Sequence, residues 1–156
     1  MGRCETADGE LAGAAAPCQF TMMIAADRRA IAAVVDRVTL QLEQRTWPAA
    51  DVTAVQLALT EAVANAIRHG CRDDVTKCVE CTVGCGESDE VVIVVRDQGS
   101  GFDPGDVPDP LDGANTFRPS GRGIFLMRAF MDDVVFADGG REVLMRKRKT
   151  PGERDS

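Results

Sequence analysis

Leu57-Ala58-Leu59-Thr60-Glu61-Ala62-Val63-Ala64-Asn65-Ala66-Ile67-Arg68-His69-Gly70 is the stretch from which the rest of the chain can be read. Most of its surface is apolar. Glu61, Asn65 and His69 stand at i, i+4 and i+8, so on a helix they form a single polar stripe. The remaining surface is too apolar for a solvated helix, which places the stripe along a cleft. A solvated face is the competing explanation for the stripe alone. Asp51 is positioned to cap this helix, Gly70 to stop it, and at 1.5 Å per residue it would run roughly 30 Å. A carboxylate one turn from an amide suits magnesium-nucleotide chemistry. The amide oxygen can ligate a hard cation and the carboxylate can accept a proton.

Working outward, Gln19 to Ile24 reads as a strand, and Asp27 caps a helix to about Gln44. Ile31, Val34, Val35, Val38 and Leu42 give that helix its apolar face, and Trp47-Pro48 ends it. Beyond the long helix, strands are predicted at about Thr76 to Gly84 and Glu90 to Asp97. Val91 to Val95 is apolar throughout, which marks a strand that is central or buried on both faces. Residues 98 to 120, rich in Gly, Pro and Asp, form a loop long enough to imply a function. Gly121-Arg122-Gly123 opens a third helix to about Met131. Strands at Asp133 to Ala137 and Glu142 to Lys147 close the chain through a turn at Asp138-Gly139-Gly140. The order β-α-α-β-β-loop-α-β-β predicts an α+β two-layer sandwich, with a mixed, mostly antiparallel sheet and helices on one face. The expected organisation is a disordered leader over residues 1–17, one domain over 18–149 and a flexible tail over 150–156.

Two more segments carry chemistry. In Arg96-Asp97-Gln98-Gly99-Ser100-Gly101, a carboxylate ends a buried strand and two glycines follow at alternate positions. Asp97 can accept a hydrogen bond from an exocyclic amine, and Gly99 and Gly101 admit a flat ring or a phosphate chain to the backbone. Taken alone, a plain glycine-rich turn explains it as well. In Ser120-Gly121-Arg122-Gly123, glycines at a helix start leave free amides at the positive end of the helix dipole, a phosphate site. The trailing Lys-Ser/Thr of a P-loop is missing.

Composition narrows the classes. With 156 residues the chain has room for one domain with a core. A net charge of -7 argues against an electrostatic grip on nucleic acid or an anionic membrane. No run approaches the roughly 20 apolar residues of a membrane span, and no signal-peptide centre is visible. Of the six cysteines, Cys78-Val79-Glu80-Cys81 is a C-x2-C. A strand there would point the two thiols to opposite faces, so reduced thiols, not a metal site, are expected, and with them a cytoplasmic location.

Together, Glu61-x3-Asn65-Ala66-x2-His69-Gly70, Asp97-x-Gly99-x-Gly101 and Gly121-x-Gly123 followed by Met131-Asp132-Asp133-Val134 resemble the motifs of the GHKL (Bergerat-fold) ATPase superfamily. Within it, residues from about Phe20 to Arg148 look most like the bacterial anti-sigma-factor serine/threonine kinases. The resemblance implies ATP and Mg2+ as cofactors. Glu61 matches the general base and Asn65 the Mg2+ ligand. Asp97 matches the acceptor for the adenine amine, with Gly101 in the adenine pocket. Gly121 and Gly123 match the phosphate-holding glycines, and residues 102–120 match an ATP lid, where Arg118 and Arg122 are both candidates to reach phosphate. Relatives carry a hydroxyl residue near the start of the last strand, where this chain has Arg141 and Glu142. The implied function is phosphorylation of a hydroxyl on an anti-anti-sigma (STAS-type) partner, or sequestration of a sigma factor, by a chain that can homodimerise, with Arg28 and Arg29 at a docking surface. Glu61 favours a hydroxyl acceptor over an imidazole, which needs no base. The alternative is a non-catalytic, ATP-responsive module that sequesters a regulatory partner.

Overall fold

The computed structural model describes residues 18–86, 89–99 and 119–152. Strand β1 (Cys18–Ala25) leads through a short 3-10 turn (Arg28–Ala30) into α1 (Ile31–Gln44) and α2 (Ala49–Asn65). Then follow β2 (Cys78–Cys85), β3 (Glu90–Asp97), α3 (Pro119–Phe130), β4 (Asp133–Ala137) and β5 (Glu142–Arg148). The five strands form one sheet in the order β1-β2-β3-β5-β4. Every pairing is antiparallel, so the sheet is antiparallel where a mixed one was expected. The two-layer α+β sandwich is as read from the sequence.

β3 is the central strand. Val91, Ile93, Val95 and Asp97 are buried, while Val92 and Val94 alternate with them at intermediate exposure. The all-apolar run therefore reflects a central position with one covered face. The inward residues of β1, β2 and β5 join it: Phe20 and Ile24, Val79, Cys81 and Val83, Val143 and Met145. Opposite them lie Val34, Val38 and Leu42 of α1, one every turn, together with Val55, Leu59 and Val63 of α2 and Ile124 and Met127 of α3. Because α2 packs against α1, α3 and the sheet, even Ala54, Ala58 and Ala62 are buried. Its all-round apolar surface follows from that position.

Several local readings change. Asp27 caps the 3-10 turn ahead of α1, accepting from the Arg29 N–H at 2.9 Å. Asp51 does not cap α2, which starts after Pro48. It lies in the first helical turn and is buried. Its carboxylate accepts from the backbone N–H of Thr150 at 2.7 Å and from its hydroxyl at 2.9 Å. Residue 150, expected to begin a free tail, is thus tied to α2. The register of β2 puts Cys78 and Cys81 on opposite faces, as expected. Cys71, Cys81 and Cys85 are buried, and Cys71 and Cys81 are free thiols. Burial, and then the neighbouring Glu80 carboxylate, push the Cys81 thiol up to about 12, far from a metal-binding thiolate. Cys78 departs from the expectation of reduced thiols, since it is disulfide-bonded. Among the described residues, no cluster of His, Cys, Asp and Glu could hold a metal ion, and no helix is long and apolar enough to cross a membrane.

Candidate functional site

The site forms where the C-terminal end of α2, the end of β3 and the start of α3 meet. α2 stays regular to Asn65, and its last turn, Ala66–Gly70, then widens to π geometry. The Cys71 N–H reaches back to the Ala66 carbonyl at 2.8 Å, a five-residue step. Such turns interrupt the helical phase. The polar stripe expected from the spacing therefore ends with Glu61 and Asn65. His69, beyond the interruption, is half-buried and lies outside the recess described below. Burial is the main cause that lowers the His69 pKa, reinforced by the Arg68 charge and opposed by Asp73.

Glu61 and Asn65 converge on α3. A methyl group on Gly123 would sit 2.9 Å from Glu61 Oε2 and 3.1 Å from Asn65 Nδ2. Glycine at 123 thus keeps the carboxylate and the amide close to the backbone of the α3 N-terminal turns. Asn65 is buried, at 9% exposure. Among the described residues, neither its side-chain amide nor the Glu61 carboxylate is engaged in a hydrogen bond. A buried amide with an uncommitted oxygen beside an uncommitted carboxylate fits a hard divalent cation held partly by a ligand's own oxygens, because Mg2+ needs few protein ligands when phosphates supply the others.

Asp97 is buried at the end of β3, and Gly99 N–H donates to its Oδ1 at 2.8 Å. Burial raises the Asp97 pKa. The Gly99 hydrogen bond and the charges of Arg141 and Lys77 oppose the shift, while Asp138 adds to it. Gly70 and Gly99 interlock with this carboxylate. A Cβ on Gly70 would overlap the Asp97 carboxylate, and one on Gly99 would overlap the Gly70 carbonyl. In this structure, then, the glycine at 99 is required by the close approach of the α2 terminus, a tertiary reason that the loop sequence does not display.

Between α2 and the sheet lies a recess with about 250 Å³ of empty space, part of it open to solvent. Ala62, Ala66, Val95, Met127, Phe136 and Val143 make it apolar, and Asn65 and Asp97 are its buried polar groups. An apolar slot with a few fixed polar groups is how small-ligand sites are built. Gly140 and Arg141 complete the lining. The sequence had marked Arg141 only as a departure from a family pattern. Of the other expected site residues, Gly121 lies in the first turn of α3 and Arg122 is exposed beside it. Gly101, Arg118 and most of the expected lid lie outside the described residues.

Residues 24–147 match the family described as "Histidine kinase-like ATPase domain". The chain is 34% identical over 107 residues to the serine-protein kinase RsbW of Bacillus licheniformis, a match covering 62% of this chain and 64% of that one. It is 30% identical over 128 residues to the anti-sigma F factor of Clostridium novyi, covering 78% and 82% respectively. The anti-sigma F factor of Clostridium perfringens is 33% identical over 105 residues, 63% of this chain and 73% of that one. Among solved structures, the RsbU and RsbW domains of a Mycobacterium tuberculosis protein share the fold with a TM-score of 0.61 at 16% identity, covering 84% of this chain and 32% of that one. With the family matched across nearly the whole described sandwich, the chain belongs to the histidine kinase-like ATPase family, among relatives that include anti-sigma F factors.

Proposed function

We propose that the chain binds Mg-ATP in the recess and transfers the γ-phosphoryl group to a serine or threonine hydroxyl of a partner protein. The observation that carries this reading is the convergence of Glu61 and Asn65 on Gly123, next to a recess that ends in the buried Asp97. Asp97 accepts from the adenine amine. Asn65 holds the Mg2+, whose chemistry when bound is to neutralise charge on the phosphate oxygens. The α3 N-terminus, with Gly121, Arg122 and Gly123, receives phosphate at the positive end of its dipole, and Gly99, Gly101 and Arg118 complete the nucleotide-binding set. Glu61 takes the proton as the acceptor oxygen bonds to the γ-phosphorus and the bond to the bridging oxygen of ADP breaks.

The partner class proposed is an anti-anti-sigma (STAS-type) protein, a sigma factor, or both, acting with this chain in the cytoplasm and with the chain as a homodimer. The names of the relatives support the class. Incubation with γ-labelled ATP and a STAS-type partner tests it. Label on a Ser or Thr of the partner is the expected result. Stable binding of the partner with no transfer under any Mg-ATP condition would favour the sequestering module. Asn65→Ala should abolish the Mg2+ dependence of ATP affinity. Unchanged dependence, measured by calorimetry with and without Mg2+, would remove Asn65 as the ligand.

A further inference from the structure

The recess lined by the buried Asp97 also carries a cation. Arg141 lines the same recess, and its side chain remains 43% exposed. Its placement is fixed from the backbone outward. The Asp97 N–H donates to the Arg141 carbonyl at 2.9 Å, and the Arg141 N–H donates to the Asp138 carbonyl at 3.2 Å. The preceding turn is tight. Asp138, Gly139 and Gly140 all have positive φ, at 53°, 64° and 86°. That turn holds the guanidinium. Arg141 Nε donates to the Asp138 carbonyl at 3.2 Å and Nη2 donates to the Asp138 carboxylate at 3.1 Å.

A guanidinium has five N–H donors in one plane. Asp138 engages Nε and Nη2, and among the described residues Nη1 has no partner. The recess therefore carries a buried acceptor, Asp97, and a held cation with spare planar donors, joined by a backbone hydrogen bond. A flat ligand edge that offers a donor next to an acceptor satisfies both. Adenine has such an edge, because its exocyclic amine is flanked by ring nitrogens N1 and N7, both acceptors.

We infer that Arg141 is a base-recognition residue, donating from Nη1 to a ring nitrogen that flanks the amine held by Asp97. The inference rests on the nucleotide reading of the recess and assigns that reading a specificity determinant. A phosphate-directed role for the same cation is a distinct alternative, and deaza analogues separate the two. Each replaces one ring nitrogen by C–H and leaves the phosphates intact.

The experiment is calorimetry of wild type and Arg141→Met with ATP, 1-deaza-ATP and 7-deaza-ATP. A charge-assisted hydrogen bond corresponds to about a tenfold or larger change in affinity. Wild type should bind one deaza analogue about tenfold more weakly than ATP. Arg141→Met should bind ATP about tenfold more weakly than wild type and no longer distinguish that analogue from ATP. Arg141→Lys, which keeps the charge but not the planar fork, should fall between the two. Equal binding of all three nucleotides by wild type would overturn the inference and leave ATP binding standing. So would a weakened Arg141→Met that keeps the full deaza discrimination, the pattern of a phosphate contact. Absence of ATP binding to wild type would overturn the nucleotide reading and the inference with it.

Discussion

Asp97 is held where an ionised carboxylate is costly. Burial raises its pKa in the folded chain above the unfolded value, so the folded state keeps the proton to higher pH. The stability tied to this proton is fully present below the unfolded pKa and is lost as pH rises through the folded one. At neutral pH the ionised side chain therefore counts against folding. Asp97→Asn, which can still accept from Gly99, should raise the denaturation midpoint of the nucleotide-free protein at pH 7 but not at pH 3. It should also weaken ATP binding by a lost buried hydrogen bond, about 1–3 kcal/mol. Thermal melts at both pH values, with calorimetry, check the two halves. Gly123 makes a similar trade. The nearest atom to a methyl at 123 is Oε2 of Glu61, at 2.9 Å, the tip of a flexible side chain. Gly123→Ala should thus cost little stability, because the carboxylate can swing aside and alanine favours a helix by roughly 0.5–1 kcal/mol. Displacing the proposed base should slow transfer by about tenfold or more. A variant that melts several degrees lower, or that keeps full transfer, would contradict this account of the contact.

At the scale of elements, α2 joins stability to the site. Asp51 in its first turn fastens Thr150 after β5 through two hydrogen bonds. Asp51→Ala should destabilise the domain by about 1–2 kcal/mol, measured by chemical denaturation, without changing ATP affinity. At the other end, burial and Arg68 lower the His69 pKa. An unfolded histidine binds its proton first as pH falls, so this contribution is present above the unfolded pKa and lost as pH drops through the folded value. Stability should decline below about pH 6.5, and His69→Gln should lessen that decline. Much of α2 was legible from side-chain spacing. Glu61 and Asn65 stand one turn apart, and both face Gly123. The π-type turn was not legible, since the same residues suit a regular helix to His69. It is seen only with its tertiary partners, where Gly70 passes against Asp97 and Gly99. Asp51 misled for a related reason. An acid near a helix start reads as a cap, and only the return of the chain at Thr150 reveals its other use.

Across the whole molecule, the sheet order β1-β2-β3-β5-β4 brings distant segments to one place. Asp97 on central β3 neighbours the turn into β5, and α3 covers α2 beside it. The α+β class followed from the order of elements, and the central place of β3 from its apolar run. That Arg141 would share a recess with Asp97 depends on the β3–β5 pairing, which pattern alone does not specify. The proposed chemistry of this assembled site is phosphoryl transfer with Glu61 as the proton acceptor. Single-turnover transfer from γ-labelled ATP to a Ser- or Thr-bearing partner, for wild type and Glu61→Gln with Mg-ATP affinity measured in parallel, tests it most directly. A positioned base contributes on the order of 10²–10⁴ in rate. Transfer by Glu61→Gln should fall by that factor, with affinity changed by no more than a few-fold. Transfer by Glu61→Gln at the wild-type rate would contradict it.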